Sequence, residues 1–350
     1  MNADFTSALF LGLRHPSAAG AGRLTEGKPA ALQEPAGASA AAAAVASAQG
    51  AAAAVVARTS LHALVDVLTT AAPAGALVVV DEHSYPISFW AAAVAAQGGA
   101  AMTTFGHHDA DHVRRLLHGR RRRGAAVVLT DGWCGGCSRP APLRSLAAVA
   151  AEAGATLVVD DSLAAGVLGA DPEPWRPLGS GGQGTPAWSG LPPDQLVSVA
   201  STAKAFGAPL AVVTGPATAV AMVRRGPSRL HASPPTRADV AALTEALADP
   251  TLPQRRRRLA RLIGRVRDFA GEQGLAAAGL PFPAVQLPMP LARADDLRRR
   301  MLVDGVSTLV IRSGCAGTAA LGVLVRADHS DVAVNLLLQA LGRQLHRGAA

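Results

Sequence analysis

Lys204 in VASTAKAFGAP and Asp160 in TLVVDDSLAAG are the residues whose types most directly suggest chemistry. The chain has 33 lysines and arginines together, and only Lys28 and Lys204 are lysine. A retained primary amine among small residues has an obvious use, because an amine forms a Schiff base with a carbonyl and a guanidinium, always protonated, does not. Asp160 closes an apolar run, and a carboxylate at the end of a buried strand is costly without a cationic partner. A protonated pyridine nitrogen is such a cation. Lysine and aspartate at consecutive strand ends are the pair that pyridoxal phosphate needs: an amine for the Schiff base, and a carboxylate that keeps the ring nitrogen protonated so that the ring acts as an electron sink.

Three other patterns compete for attention. WCGGC (Trp133 to Cys137) is close to a thioredoxin-type dithiol, but such a centre needs its first cysteine at a helix N-terminus. Here SRPAP follows, and the next helix is expected only around Pro142, so a Gly-rich loop over the cofactor face is the better reading. GSGGQG (Gly179 to Gly184) matches a dinucleotide-binding pattern yet follows EPWRPL rather than a strand and precedes TPAW rather than a helix. It is expected to be a plain loop. His62, His83, His107, His108 and His112 include no HExxH pair, and no carboxylate and cysteine set has zinc-like spacing, so no metal is expected.

The elements that must position these residues are legible as short apolar runs at 51–57, 76–81, 100–105, 125–130, 156–160, 196–200 and 210–215, with helical periodicity between several of them. That alternation predicts an α/β fold: a mostly parallel central sheet with helices on both faces. In such a sheet ligands bind beyond the carboxyl ends of the strands. Ser60 and His62, Asp81 to Tyr85, WCGGC, Asp160 with Asp161, and Ser201 to Lys204 all follow strands and define a candidate site. After Pro235 the pattern changes to helices near 236–248, 254–272 and 292–303, strand-like VSTLVI and LGVLVR, and a last helix from about Ser330 to Leu345. The predicted organisation is an N-terminal segment (1–35) associated with the small domain, a large cofactor-binding domain (36–240) and a small C-terminal α+β domain (241–350).

At 350 residues the chain can bury a sizeable core, and three cysteines are too few for a disulfide framework. The first residues lack the marks of a signal peptide, and the alanine-rich run from Ala38 to Ala57 is too weakly apolar for a membrane span, so a cytoplasmic protein with no membrane partner is expected. The net charge of +8 is concentrated in two arginine clusters, Arg114 to Gly124 and Gln254 to Phe269. These read first as solvated helical faces, with attraction of coenzyme A or an acidic carrier protein as the sharper alternative. Aromatic residues are 3% of the chain, too few to stack single-stranded nucleic acid, and no nucleic-acid partner is expected.

Several stretches together resemble the fold-type I pyridoxal phosphate enzymes of aminotransferase class I/II, in their α-oxoamine synthase branch, over nearly the whole chain. FLGLRHPSAA is similar to that family's N-terminal LGL segment, FGHHDADHVRRLL to its F-HND stretch, and APLRSLAAVAAEAGATLVVDDS to its APL helix and the strand that follows. SVASTAKAFG resembles its lysine motif, and LHASPP its S-x-PP turn, one residue short. The resemblance implies Lys204 as the Schiff-base lysine and Asp160 as the partner of the pyridine nitrogen. It implies Ser201, and the backbone amides of Ser60 and Leu61 at a helix start, as phosphate ligands, and Tyr85 in the place of a histidine stacked on the ring. Ser233 matches a hydroxyl that reaches the phosphate of a neighbouring subunit, which implies a homodimer.

Three positions depart from the family pattern. Leu163 stands where a histidine contacts the cofactor, Gly322 where an arginine holds the substrate carboxylate, and Gly135 near the serine of a loop. The implied reaction is decarboxylative condensation of an amino acid with an acyl thioester, supplied as acyl-CoA or by an acyl carrier protein. A pyridoxal phosphate-dependent aminotransferase is the alternative reaction, and a non-catalytic relative that keeps the fold is the alternative from a different class.

Overall fold

The computed structural model describes residues 3–15, 27–119, 124–315 and 317–347. The Pro16–Ala19 part of the LGL segment and Arg120 to Arg123 lie outside the described residues. The strands are β1 (Ala3–Asp4), β2 (Ala53–Ala57), β3 (Leu77–Asp81), β4 (Ala101–Phe105), β5 (Ala126–Asp131), β6 (Trp133–Cys134) and β7 (Arg139–Pro140), then β8 (Thr156–Asp160), β9 (Val197–Ser201), β10 (Ala211–Gly215), β11 (Ala284–Met289), β12 (Val306–Ser307), β13 (Leu309–Ser313) and β14 (Thr318–Leu324). The helices are α1 (Ala38–Gln49), α2 (Ser60–Ala71), α3 (Pro86–Gln97), α4 (Ala110–His118), α5 (Leu143–Glu152), α6 (Thr185–Trp188), α7 (Ala217–Val223), α8 (Pro227–His231), α9 (Arg237–Ala248), α10 (Leu252–Glu272), α11 (Leu291–Val303) and α12 (Asp331–Arg347).

All seven runs expected as strands pair into one sheet of order β2-β10-β9-β8-β5-β3-β4. Only β10 is antiparallel to its neighbours, so the other six strands end on the same edge. The central strands read as unbroken valine and leucine runs because both faces are covered. One face packs on Leu64, Ala91 and Val220 of α2, α3 and α7, and the other on Val113 and Leu146 of α4 and α5.

A three-stranded antiparallel sheet, β11-β14-β13, forms beyond α10, and β1 pairs in parallel with β12. The N-terminal segment is thereby stitched to the C-terminal third of the chain, with Phe5 and Phe10 buried in one core with Leu262, Phe282 and Leu337. TPAW, expected to be non-helical, forms the four-residue α6. Gly184 makes that start possible: at φ 102° it takes a conformation open to glycine, and a Cβ there would collide with Asp161 Oδ2. GSGGQG is therefore a loop whose end packs against the end of β8.

The α10 arginines are not the solvated face that the sequence suggests. Arg255 reaches the Leu11 carbonyl, Arg256 that of Gly166, Arg258 those of Ala327 and His329, and Arg267 those of Ala278 and Gly279. They satisfy backbone acceptors where segments meet, which leaves Arg257 and Arg261 exposed.

Candidate active site

Parallel pairing sets the geometry of the carboxyl edge. Asp131 is the register partner of Asp160, and Asp160 of Val199, so two carboxylates end adjacent strands just below the turn that carries Lys204. Ala57 and Ser201 both pair with Ala211, which puts the start of α2 at the level of the lysine turn, two strands or about 10 Å away.

Lys204 is largely buried, and its amine accepts or donates no hydrogen bond among the described residues. Burial lowers its pKa, against the pull of Asp160 and Asp131. A desolvated amine that loses its proton more easily is the form that attacks a carbonyl. Asp160 is 6% exposed; its Oδ1 accepts from the Ser162 amide at 2.9 Å, and its Oδ2 accepts from none of the described residues. Asp131 is half-buried, and the enclosure of its carboxyl together with the neighbouring Asp160 raises its pKa well above the usual range. Its Oδ2 accepts from the Tyr85 amide at 2.9 Å, and its Oδ1 is buried without a partner.

Ser162 ties these parts together, because its hydroxyl accepts from the Ser201 amide at 2.9 Å while its own amide holds Asp160. Thr59 caps α2 by accepting from the His62 amide, so the Ser60 and Leu61 amides of the first turn stay available at the positive end of the helix dipole. The Tyr85 side chain is 61% exposed at the start of α3. Ser233 is exposed in the loop before α9; Pro234 beside it accepts from Arg58, two residues ahead of Ser60.

The structure thus brings Asp160, Lys204, Ser201 and the backbone of Tyr85 into one hydrogen-bonded and electrostatic neighbourhood, level with Ser60 and Leu61. Sequence reasoning passed over Asp131 and Ser162. The run AVVLTD carries the same signal as TLVVD, an apolar strand closed by aspartate, and would have found the first of them.

Asp161, at the end of the same strand, is fully buried and accepts from the Thr185 amide with both oxygens at 3.1 Å. Burial pushes its pKa up to about 7. The folded state therefore favours the protonated acid, so its contribution to stability is greatest at acid pH. That contribution is lost as the pH rises from about 4 to about 7, by about 1.4 kcal/mol for each pH unit crossed. Asp161→Asn is expected to flatten that part of the pH dependence of urea unfolding; an unchanged slope would mean that the carboxyl is ionised in the fold.

The departures have physical outcomes. Leu163 packs against the main core, and a Cβ on Gly135 would sit 3.4 Å from it. At Gly322, facing Gln286 and Leu309 on the neighbouring strands, a Cβ would meet the Ile311 side chain at 2.6 Å, so a larger residue there requires Ile311 to move. Arg326 does not replace it. It is 7% exposed and spent on Asp328 at 2.9 Å and on the carbonyl of Asp4, holding the N-terminal strand.

Cys134 lies in β6 and α5 begins only at Leu143, so the dithiol reading lacks its helix N-terminus. WCGGC instead forms a hairpin leaning on the small sheet. Trp133 stacks on Phe282 with centroids 4.4 Å apart, and the Gly135 carbonyl accepts from Gln286 at 2.7 Å.

A mostly parallel sheet that carries an amine and a carboxylate together on its carboxyl edge is the arrangement of the fold-type I class of pyridoxal phosphate enzymes. The orphaned Asp131 Oδ1, the unbonded Lys204 amine and the open Asp160 Oδ2 are the polar groups such a cofactor needs. Residues 14–340 match the family Aminotransferase class I and II, and the chain belongs to that family, in its α-oxoamine synthase branch. It is 33% identical over 292 residues to 8-amino-7-oxononanoate synthase of Halorhodospira halophila, covering 81% of this chain and 68% of the relative. It is 32% identical over 262 residues to a putative 8-amino-7-oxononanoate synthase of Desulforudis audaxviator, covering 71% of this chain and 62% of the relative. Serine palmitoyltransferase from S. paucimobilis, solved with a bound PLP-myriocin aldimine, has the same fold at a TM-score of 0.85 and 19% identity, over 100% of this chain and 89% of that one. The matches thus span about three fifths to two thirds of the curated relatives' lengths.

Proposed function

We propose that the protein condenses an amino acid with an acyl thioester, with loss of the amino acid's carboxylate as carbon dioxide. The observation that carries this reading is the buried, unbonded Lys204 amine facing Asp160 on the carboxyl edge of the sheet. The names of the two curated relatives support the reaction type.

Pyridoxal phosphate supplies the electron sink when a bond to the α-carbon breaks. The chain's own residues do the rest. The Lys204 Nζ would hold the cofactor, and once free the same amine would move the proton at the α-carbon. Asp160 Oδ2, which accepts from none of the described residues, would accept from the ring nitrogen. The Ser60 and Leu61 amides and the Ser201 hydroxyl bind the phosphate, where the dipole of α2 favours negative charge. Tyr85 covers a ring face, and Ser233 reaches the phosphate site of a second copy, so the working unit is a homodimer in the cytoplasm. Residues 36–240 form the cofactor-binding domain, and 241–350 with the N-terminal 1–35 form the small one.

Leu163 removes one family-type polar contact to the cofactor, and Gly322 removes the family-type grip on the substrate carboxylate, which favours a substrate set different from that of the relatives. With Arg255, Arg256, Arg258 and Arg267 of α10 spent on carbonyls, the exposed Arg257 and Arg261 of that helix remain to attract a coenzyme A or carrier-protein donor.

Incubation with carboxyl-labelled amino acids separates the readings. Label released as carbon dioxide only when an acyl thioester is present supports condensation. Amine transfer to a keto acid would replace it with aminotransfer, and no spectral response to any amino acid would point to a non-catalytic relative.

A further inference from the structure

Four side chains that the proposed reaction does not use converge beside the site. Cys134 and Cys137 come from the β6–β7 hairpin, His107 from the turn before α4, and Cys315 from the turn between β13 and β14. Their four ligand atoms all lie within 4.8 Å of one another. The Cys134 and Cys315 sulfurs are 3.6 Å apart, and His107 Nε2 is 3.5 Å from the Cys137 sulfur. With zinc bonds of about 2.3 Å to sulfur and about 2.0 Å to nitrogen, a tetrahedron has sulfur–sulfur edges of about 3.8 Å and sulfur–nitrogen edges of about 3.5 Å. Both observed separations match those edges.

The surroundings are arranged for the same purpose. Asp81 Oδ1 lies 2.8 Å from His107 Nδ1, which fixes the ring and turns Nε2 toward the sulfurs, the usual orientation of a metal-bound histidine. Asp81 also accepts from the amides of His83 and His108, so it orients the ring rather than ligating with His108 as a competing set. The Gly136 and Cys137 amides donate to the Cys134 sulfur at 3.3 and 3.4 Å, contacts that stabilise a thiolate. No disulfide joins the three cysteines.

We propose that His107, Cys134, Cys137 and Cys315 bind one zinc ion in a closed tetrahedral site. The three thiols release their protons to solvent as the ion enters, and the histidine binds as neutral imidazole. Four protein ligands leave no open position, so the ion is structural. It clamps the β13–β14 turn of the small sheet onto the carboxyl edge of the large one, alongside the existing contacts of Trp133 with Phe282 and of Gln286 with Gly135. The inference does not depend on which reaction the neighbouring site performs.

The test is metal analysis of the holoenzyme purified without chelator, followed by cobalt substitution. About one zinc per chain is expected, with cobalt giving thiolate charge-transfer absorption and tetrahedral d–d bands at longer wavelength than the cofactor. Chelation should lower the melting temperature, and added zinc should restore it. Cys315→Ser, in a partly exposed turn, should lose at least tenfold in zinc affinity while keeping the cofactor absorbance. The cobalt spectrum of the unaltered protein gives an answer even if that variant fails to fold. Absence of zinc and of thiolate–cobalt absorption at one equivalent would overturn the proposal. So would a Cys134–Cys315 disulfide in the isolated protein, which would make the cluster a redox pair.

Discussion

Lys204→Ala is expected to purify without the visible-edge absorbance of the parent, to show no cofactor fixed by borohydride, and to lose roughly a thousandfold or more of turnover. The size follows from removing two roles at once, the covalent tether and the proton carrier at the α-carbon. No other residue can take them over. The second lysine, Lys28, lies on the surface bonded to Gln33, and the guanidinium of Lys204→Arg forms no Schiff base. Cofactor still covalently fixed in the alanine variant, found by mass spectrometry of the reduced protein, would place the reactive amine elsewhere.

Asp160→Asn should separate binding from catalysis. The tether through Lys204 remains, so the cofactor is retained, but the ring nitrogen loses its carboxylate. A hydrogen bond to a charged group is worth about 1.5–3 kcal/mol, which converts to roughly a 10- to 150-fold fall in kcat. Asp131 is the poorer counter-ion, because burial and the neighbouring Asp160 raise its carboxyl well above the usual range. Turnover within twofold of the parent would show that Asp160 does not face the ring.

Asp160 and Lys204 show how far local sequence reaches. Asp160 is recognisable because an apolar strand run ends on it, and Lys204 because arginine replaces nearly every other lysine. Both signals are local in the chain. So are the seven strand runs; six of them are rich in valine, as burial on both faces requires, and only the edge strand β4 lacks it. The C-terminal helices, found within a few residues of their expected spans, are legible for the same reason, with apolar positions recurring at helical spacing.

What local patterns do not contain is which ends meet. The partnership of Asp131 with Asp160 depends on strand order, and the elevated pKa of Asp131 on the burial that results. The α10 arginines look like a charged face in sequence and are carbonyl clamps in space, because their acceptors lie on segments far along the chain, from Leu11 to His329. Arg326 looks near enough to replace the arginine missing at Gly322, and only its ties to Asp4 and Asp328 show it to be committed elsewhere.

WCGGC is the sharpest case. Its two cysteines are visible at once, but the residues that give them a role are Cys315, 181 positions from Cys134, and His107, 30 positions from Cys137. Sequence alone determined the α/β class, the strand ends and the Lys204–Asp160 pair, because periodicity and residue scarcity are properties of short segments. Tertiary structure alone decided the environment of each charge and the convergence of the His107–Cys315 cluster, because sheet order and the docking of the small sheet bring together residues that no short segment contains.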